Sequence, residues 1–179
     1  MYDVTPEGYA YYVWLKEQAR EPLVAIEEDV TGYLEDQHFK ERHEQAVEKW
    51  LEARNLLLNT DTNTQLTTVG HLCRESMQFF ATELVEYHKP PAVDPDIKHT
   101  VARVKSVLMQ LAPKLGTTEE PFLEAVVAYW GTVADLIERQ EHGAQKEGEA
   151  LTWEDARRIV FHTAIVMFEV DRSLSRITA

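Results

Sequence analysis

One periodicity constrains this chain more than any other feature: Leu66, Val69, Cys73, Met77, Phe80, Leu84 and Tyr87 recur at steps of three or four. Steps of that size place all of these side chains on one face of an α-helix, because a turn takes ~3.6 residues. Nowhere does the sequence show the strict apolar/polar alternation of a half-buried strand. The chain is therefore expected to be all-α.

Caps and breakers divide the rest into further helices. A first helix is expected from Thr5-Pro6, a cap followed by proline in the first turn, to Glu21-Pro22. One or two helices follow between Pro22 and Leu58, and the polar run from Asn59 to Thr64 separates them from the helix over 64–88. That helix stops at Lys89-Pro90-Pro91. Asp94-Pro95 opens a shorter helix carrying Val101, Val104, Leu108 and Leu111, read as peripheral, which ends at Pro113 and Gly116. Thr117-Thr118-Glu119-Glu120 and Thr152-Trp153-Glu154-Asp155 have the pattern of capping boxes and open helices over 119–142 and 152–177.

The inner face of the helix over 119–142 is read as Phe122, Val126, Tyr129, Val133 and Ile137. The last helix has two apolar stripes, one of Trp153, Ala156, Val160, Met167, Val170 and Leu174 and one of Phe161, Ile165 and Phe168. A helix that is apolar on two sides belongs in the middle of a bundle or at a dimer interface. The expected fold is thus an all-α bundle of about five or six helices, three long ones (64–88, 119–142, 152–177) forming its core. Residues 1–60 form an N-terminal helical hairpin or arm packed on a bundle core of 61–179, the two making one domain, as a length of 179 residues suits.

Charge narrows the partners. With 18 Lys and Arg against 31 Asp and Glu, the formal net charge of −13 repels nucleic-acid phosphates and anionic headgroups unless a local basic patch overrides it. Cys73 is the single cysteine, so no intramolecular disulfide can form, which fits a reducing compartment. The N-terminal stretch with Asp3 and Glu7 has no basic leader, and no apolar run reaches membrane length, so a cytoplasmic protein away from membranes is expected.

Two sets of polar residues could carry chemistry. Asp135, Arg139 and His142 share a helix face opposite Val133 and Ile137, either as a solvated salt-bridging face or as a surface that meets a ligand. In the last helix Arg158, His162, Ile165, Glu169 and Arg172 fall on one stripe. His162, inside Ile159-Val160-Phe161-His162-Thr163-Ala164-Ile165, is expected to be substantially buried, as a hydrogen-bonded core histidine or a functional one. Glu35/His38 and Asp96/His99 repeat the carboxylate–imidazole spacing of di-iron bundles, but both lie near helix ends, where exposed polar residues are ordinary. No metal and no cofactor is expected.

The Arg-x4-His of Arg157 and His162, and the turn from Arg139 to His142-Gly143 that leads into Ala156-Arg157-Arg158-Ile159-Val160 and Thr163-Ala164, resemble the Arg…His-Gly region of abortive-infection C-terminal domains. Over residues 61–179 the chain resembles the HEPN superfamily of helical bundles to which those domains are related. The resemblance implies a metal-independent RNase, or a degenerate relative of one, in phage defence or a toxin–antitoxin setting. It implies Arg139, His142, Arg157 and His162 as catalytic residues, a histidine taking the ribose 2′-hydroxyl proton and an arginine stabilising charge on the phosphate. It also implies a homodimer through the C-terminal helices. The acidic charge supports a different class of function: a non-enzymatic helical interaction module, an adaptor or antitoxin-like partner that binds a basic protein surface.

Overall fold

A computed structural model describes residues 22–59, 63–143 and 152–178, with side chains over 27–59, 65–133 and 152–177. The described residues form seven helices and no strand: α1 Pro22–Glu35, α2 Gln37–Arg42, α3 Glu44–Leu58, α4 Asn63–His88, α5 Thr100–Leu115, α6 Glu119–Gly143 and α7 Trp153–Thr178. The helix expected from Thr5-Pro6 to Glu21-Pro22 lies outside the described residues. Among the described residues no helix is long and apolar enough to cross a membrane.

The helix boundaries follow local chemistry. Asp36 separates α1 from α2, its carboxylate accepting the His38 amide at 2.9 Å. His43 ends α2 and starts α3 with non-helical dihedrals (φ −135°, ψ 48°). α4 ends where Lys89 takes φ 50° ahead of Pro90 and Pro91, and α5 ends at Gly116 with φ 87°, a conformation that glycine adopts without a Cβ clash. At α7 the capping box forms: the Asp155 amide donates to the Thr152 hydroxyl at 3.2 Å while the Asp155 carboxylate accepts the Thr152 amide at 3.0 Å.

Helix α7 is the axis of the bundle, packing against α1, α3, α4, α5 and α6. Its first stripe is the core stripe, with Ala156, Val160, Met167, Val170 and Leu174 all buried. From its second stripe, Phe168 sits edge-on to Tyr33 of α1 at 4.9 Å between ring centroids. Helices α3 and α4 share the most extensive packing, and the Ser76 hydroxyl donates to the Ala46 carbonyl at 2.8 Å. Trp50 of α3 reaches across to donate its indole N–H to the Val160 carbonyl of α7 at 3.0 Å. Cys73 of α4 is wholly buried beside Thr163 of α7, and burial pushes its thiol up to about 12.

Three expectations change. Helix α5 is not peripheral, since Val104, Val107 and Leu108 are fully buried and Arg103 is nearly so, its guanidinium donating to the Asp94 carbonyl at 2.8 Å. The inner face of α6 is Leu123, Val127, Trp130 and Val133, while Phe122 and Tyr129 stay 45% and 47% exposed. Both α6 stripes are apolar at helical spacing, and the one with the large indole of Trp130 faces the core. Trp153 and Tyr87, assigned to core stripes, are exposed at the ends of theirs.

The α6 register gives a direct test by chemical denaturation. Leu123→Ala should cost about 2–5 kcal/mol by removing a fully buried side chain, whereas Phe122→Ala should stay within about 0.5 kcal/mol of wild type in dilute solution. Equal losses would contradict the assigned face.

Candidate functional site

Among the described residues, the acidic and basic side chains buried most deeply, Asp171 and His43, lie where α7 meets the α2–α3 junction. Asp171 is 2% exposed, on the core side of α7 between Met167, Val170 and Leu174. A carboxylate there must be neutralised by partners, and α1, α2 and the α2–α3 junction supply them. The Tyr33 hydroxyl donates to its Oδ2 at 2.8 Å, the Arg42 guanidinium spans both oxygens at 2.6 and 3.1 Å, and His43 Nε2 lies 3.0 Å from Oδ1.

The break at His43 makes this possible, because leaving helical geometry turns the ring inward to pack between Phe39 and Phe80 at 4.9 and 4.7 Å. Its Nδ1 faces Glu83 of α4 at 3.4 Å, and the other Glu83 oxygen accepts the Gln45 amide at 3.0 Å. Two carboxylates therefore face one guanidinium and one imidazole, and the group is neutral when His43 is protonated.

Burial alone would raise the Asp171 pKa, but hydrogen bonds from His43, Arg42 and Tyr33 outweigh it and bring the group down to about 2. Burial alone would lower the His43 pKa, and the carboxylates of Asp171 and Glu83 reverse that and hold it above its ordinary value. The Tyr33 phenol is raised by burial and by Asp171. Beside the cluster lies a cleft of about 30 Å³ among Arg42, His43, Tyr87, His88 and Ser175, the share of liquid volume that one water occupies. The cluster is an electrostatic clamp on the bundle and has no room for a substrate.

The residues singled out in the sequence stand elsewhere. Arg139 and His142 belong to the C-terminal end of α6, and their side chains lie outside the described residues. Arg157 and His162 are described, and they face different partners. Arg157 bridges Glu27 of α1 at 2.5 Å and Glu154 at 3.2 Å. His162 is half-buried, not deeply buried, and its Nε2 lies 3.0 Å from the Tyr129 hydroxyl of α6. Partial burial and the nearby Arg158 charge lower its pKa, which favours the neutral ring. The carboxylate–imidazole pairs also separate, Glu35 accepting from Arg54 at 2.7 Å and His99 pairing with Asp94 at 2.9 Å.

A groove of about 650 Å³ runs along α2 and α3, lined by Gln37, Lys40, Glu41, Glu44, Val47, Glu48 and Leu51. The spacing is helical across the His43 break: Glu41, Glu44 and Glu48 are exposed, Val47 is buried beneath them and Leu51 is half-buried. Acidic walls over an apolar floor suit a cationic amphipathic segment. No family model, curated protein or solved structure matches the chain.

The sequence reading passed over the clamp, although Asp171 was visible as a carboxylate inside an otherwise apolar stripe. Removing its charge leaves the Arg42 guanidinium and the buried His43 ring with Glu83 as the one carboxylate of the group, so Asp171→Asn should cost about 3–5 kcal/mol in denaturant titrations. A loss below about 1 kcal/mol would show that the clamp is not needed.

The signs of the shifts set a pH window. The lowered Asp171 pKa gives stability that is complete above the unfolded value of about 4 and is lost as pH falls towards about 2. The raised His43 pKa gives stability that is complete below about 6.5 and is lost as pH rises through the folded value. Thermal stability should therefore decline on the alkaline side, and His43→Gln should flatten that limb. An alkaline limb of the same slope in the variant would assign it to another group.

Proposed function

We propose that this chain is a non-enzymatic acidic adaptor that binds a basic, amphipathic protein segment along α2 and α3. The observation that carries the reading is the α2–α3 groove, where Glu41, Glu44 and Glu48 stand over Val47 and Leu51. Carboxylates in that position steer a cationic partner and set its register, while apolar contact along Leu51 supplies the desolvated centre. The clamp immediately beneath fixes the junction between the two helices, so the groove is held in shape before a partner arrives.

A net charge of −13 acts in the same direction, speeding encounter with a basic surface and slowing encounter with RNA. The pairing of Arg157 with Glu27 and Glu154, and of His162 with Tyr129, favours the adaptor over an RNase built on those two residues. The RNase alternative then rests on Arg139 and His142.

A synthetic amphipathic helix with a lysine-rich face and a leucine face is the probe. Calorimetric titration should show binding that weakens with salt and falls about tenfold in Glu44→Lys/Glu48→Lys. Glu86→Lys/Glu124→Lys makes the same change in net charge away from the groove and should bind nearly as wild type. Equal losses in both variants would reduce the effect to overall charge and sink the groove. RNA cleavage by wild-type protein that disappears in His142→Ala would replace the adaptor with the nuclease.

A further inference from the structure

The acidic character of the chain reverses where α4, α5 and α6 meet. An open cleft of about 660 Å³ lies there, with Lys98, His99, Thr100 and Lys105 along α5 and its entry, Arg74 on α4 and Gly131 on α6. Asp94 is the one acidic residue among the described lining, and its carboxylate already accepts the Asp96 amide at 3.0 Å and pairs with His99 at 2.9 Å. Lys98 and Lys105 make no ion pair among the described residues.

The helix that carries these side chains is left open at the same end. His99 is the N-cap residue of α5, yet its side chain makes no cap hydrogen bond, and the first turn holds no acidic residue. The amides of Thr100, Val101 and Ala102 therefore stand as donors at the positive end of a 16-residue helix, and all three residues line the cleft. Thr100 adds an independent sign. It is 3% exposed, it lines the cleft, and its hydroxyl has no hydrogen-bond partner among the described residues. A buried hydroxyl in that position calls for an acceptor from outside the chain.

Size and lining narrow the acceptor. Trp130, the one aromatic residue among the described lining, is buried at 4% exposed, so no ring is offered on which a base could stack. At Gly131 an added Cβ would come within 3.1 Å of Val101 Cγ2, so the absence of a side chain brings α6 close against α5 beneath the cleft. A patch of two lysines and one helix terminus neutralises a compact anion, whereas the net charge of −13 repels a polyanion that would run past it.

We infer that this cleft binds a small phosphate dianion, free or carried as the monoester of a small metabolite, at the first turn of α5. The three amides and the Thr100 hydroxyl donate to the phosphate oxygens, and Lys98 and Lys105 supply positive charge on either side. The site shares no residue with the α2–α3 groove, so it stands or falls apart from the adaptor reading.

Titration of inorganic phosphate into the isotope-labelled full chain at constant pH and ionic strength, followed by amide nuclear magnetic resonance, is the test. The Thr100, Val101 and Ala102 amides should shift and saturate with a dissociation constant on the order of 1 mM. Lys98→Glu/Lys105→Glu should weaken binding at least about tenfold. Thr100→Val keeps the side-chain shape without the hydroxyl and should weaken it several-fold in a chain that circular dichroism shows to be folded. Lys114→Glu/Arg176→Glu makes the same change in net charge outside the cleft and should bind nearly as wild type. Glycerol phosphate that binds more tightly than inorganic phosphate would assign the site to an esterified ligand, and equal or weaker binding would assign it to the free anion. Amides of α5 that do not respond to phosphate, or equal losses in the two double variants, would overturn the proposal. So would shifts at the start of α5 that RNA produces and neither small anion does.

Discussion

A carboxylate in the middle of a helical bundle sets the terms for everything packed around it. Asp171 lies on the core side of the one helix that touches five others, so its charge cannot be left to solvent. Satisfying it draws Tyr33 from α1, Arg42 from α2 and His43 from the junction, and Glu83 of α4 then answers the second nitrogen of the imidazole. Aliphatic contacts alone would tolerate sliding of α1 and α2 over the bundle. Hydrogen bonds with fixed directions do not, and they define where the N-terminal helices sit.

The same arrangement explains the break in the chain at His43. A continuous helix from Gln37 to Leu58 would keep that imidazole on its cylinder. The non-helical dihedrals at His43 re-aim the ring between Phe39 and Phe80 towards Asp171. The break also lets α2 and α3 share one acidic face, since the positions on either side remain in helical phase. The break in the chain path, burial of charge and the shape of the outer groove are consequences of one junction.

Much of the fold was legible because helical periodicity reports burial directly. The three long helices, the stop at Lys89-Pro90-Pro91 and the capping box at Thr152 stand where spacing and cap chemistry put them. Periodicity failed where a helix has two apolar stripes: on α6 the spacing of Phe122 and Tyr129 is as regular as that of Leu123, Val127 and Trp130, and tertiary packing alone selects between them. The clamp escaped because its members lie as far apart as Tyr33 and Asp171 and belong to no local motif. Arg157 and His162 illustrate the converse, residues at a suggestive spacing on one helix whose side chains point to Glu27 and to Tyr129.

The surface is uneven in a way that net charge conceals. Glu41, Glu44 and Glu48 stand exposed along the α2–α3 groove, while Arg158, Arg172 and Arg176 stand exposed along α7. One molecule thus carries two faces of different electrostatic character on a shared frame, joined through the buried Asp171 group.

Cys73 has its own consequence. Its thiol is enclosed between α4 and α7 beside Thr163, and burial keeps it protonated at any physiological pH. An alkylating reagent can reach that sulfur only after those two helices part, which makes the lone cysteine an intrinsic clock for the opening of the bundle. The rate at which it is labelled measures how often the centre of the molecule breathes.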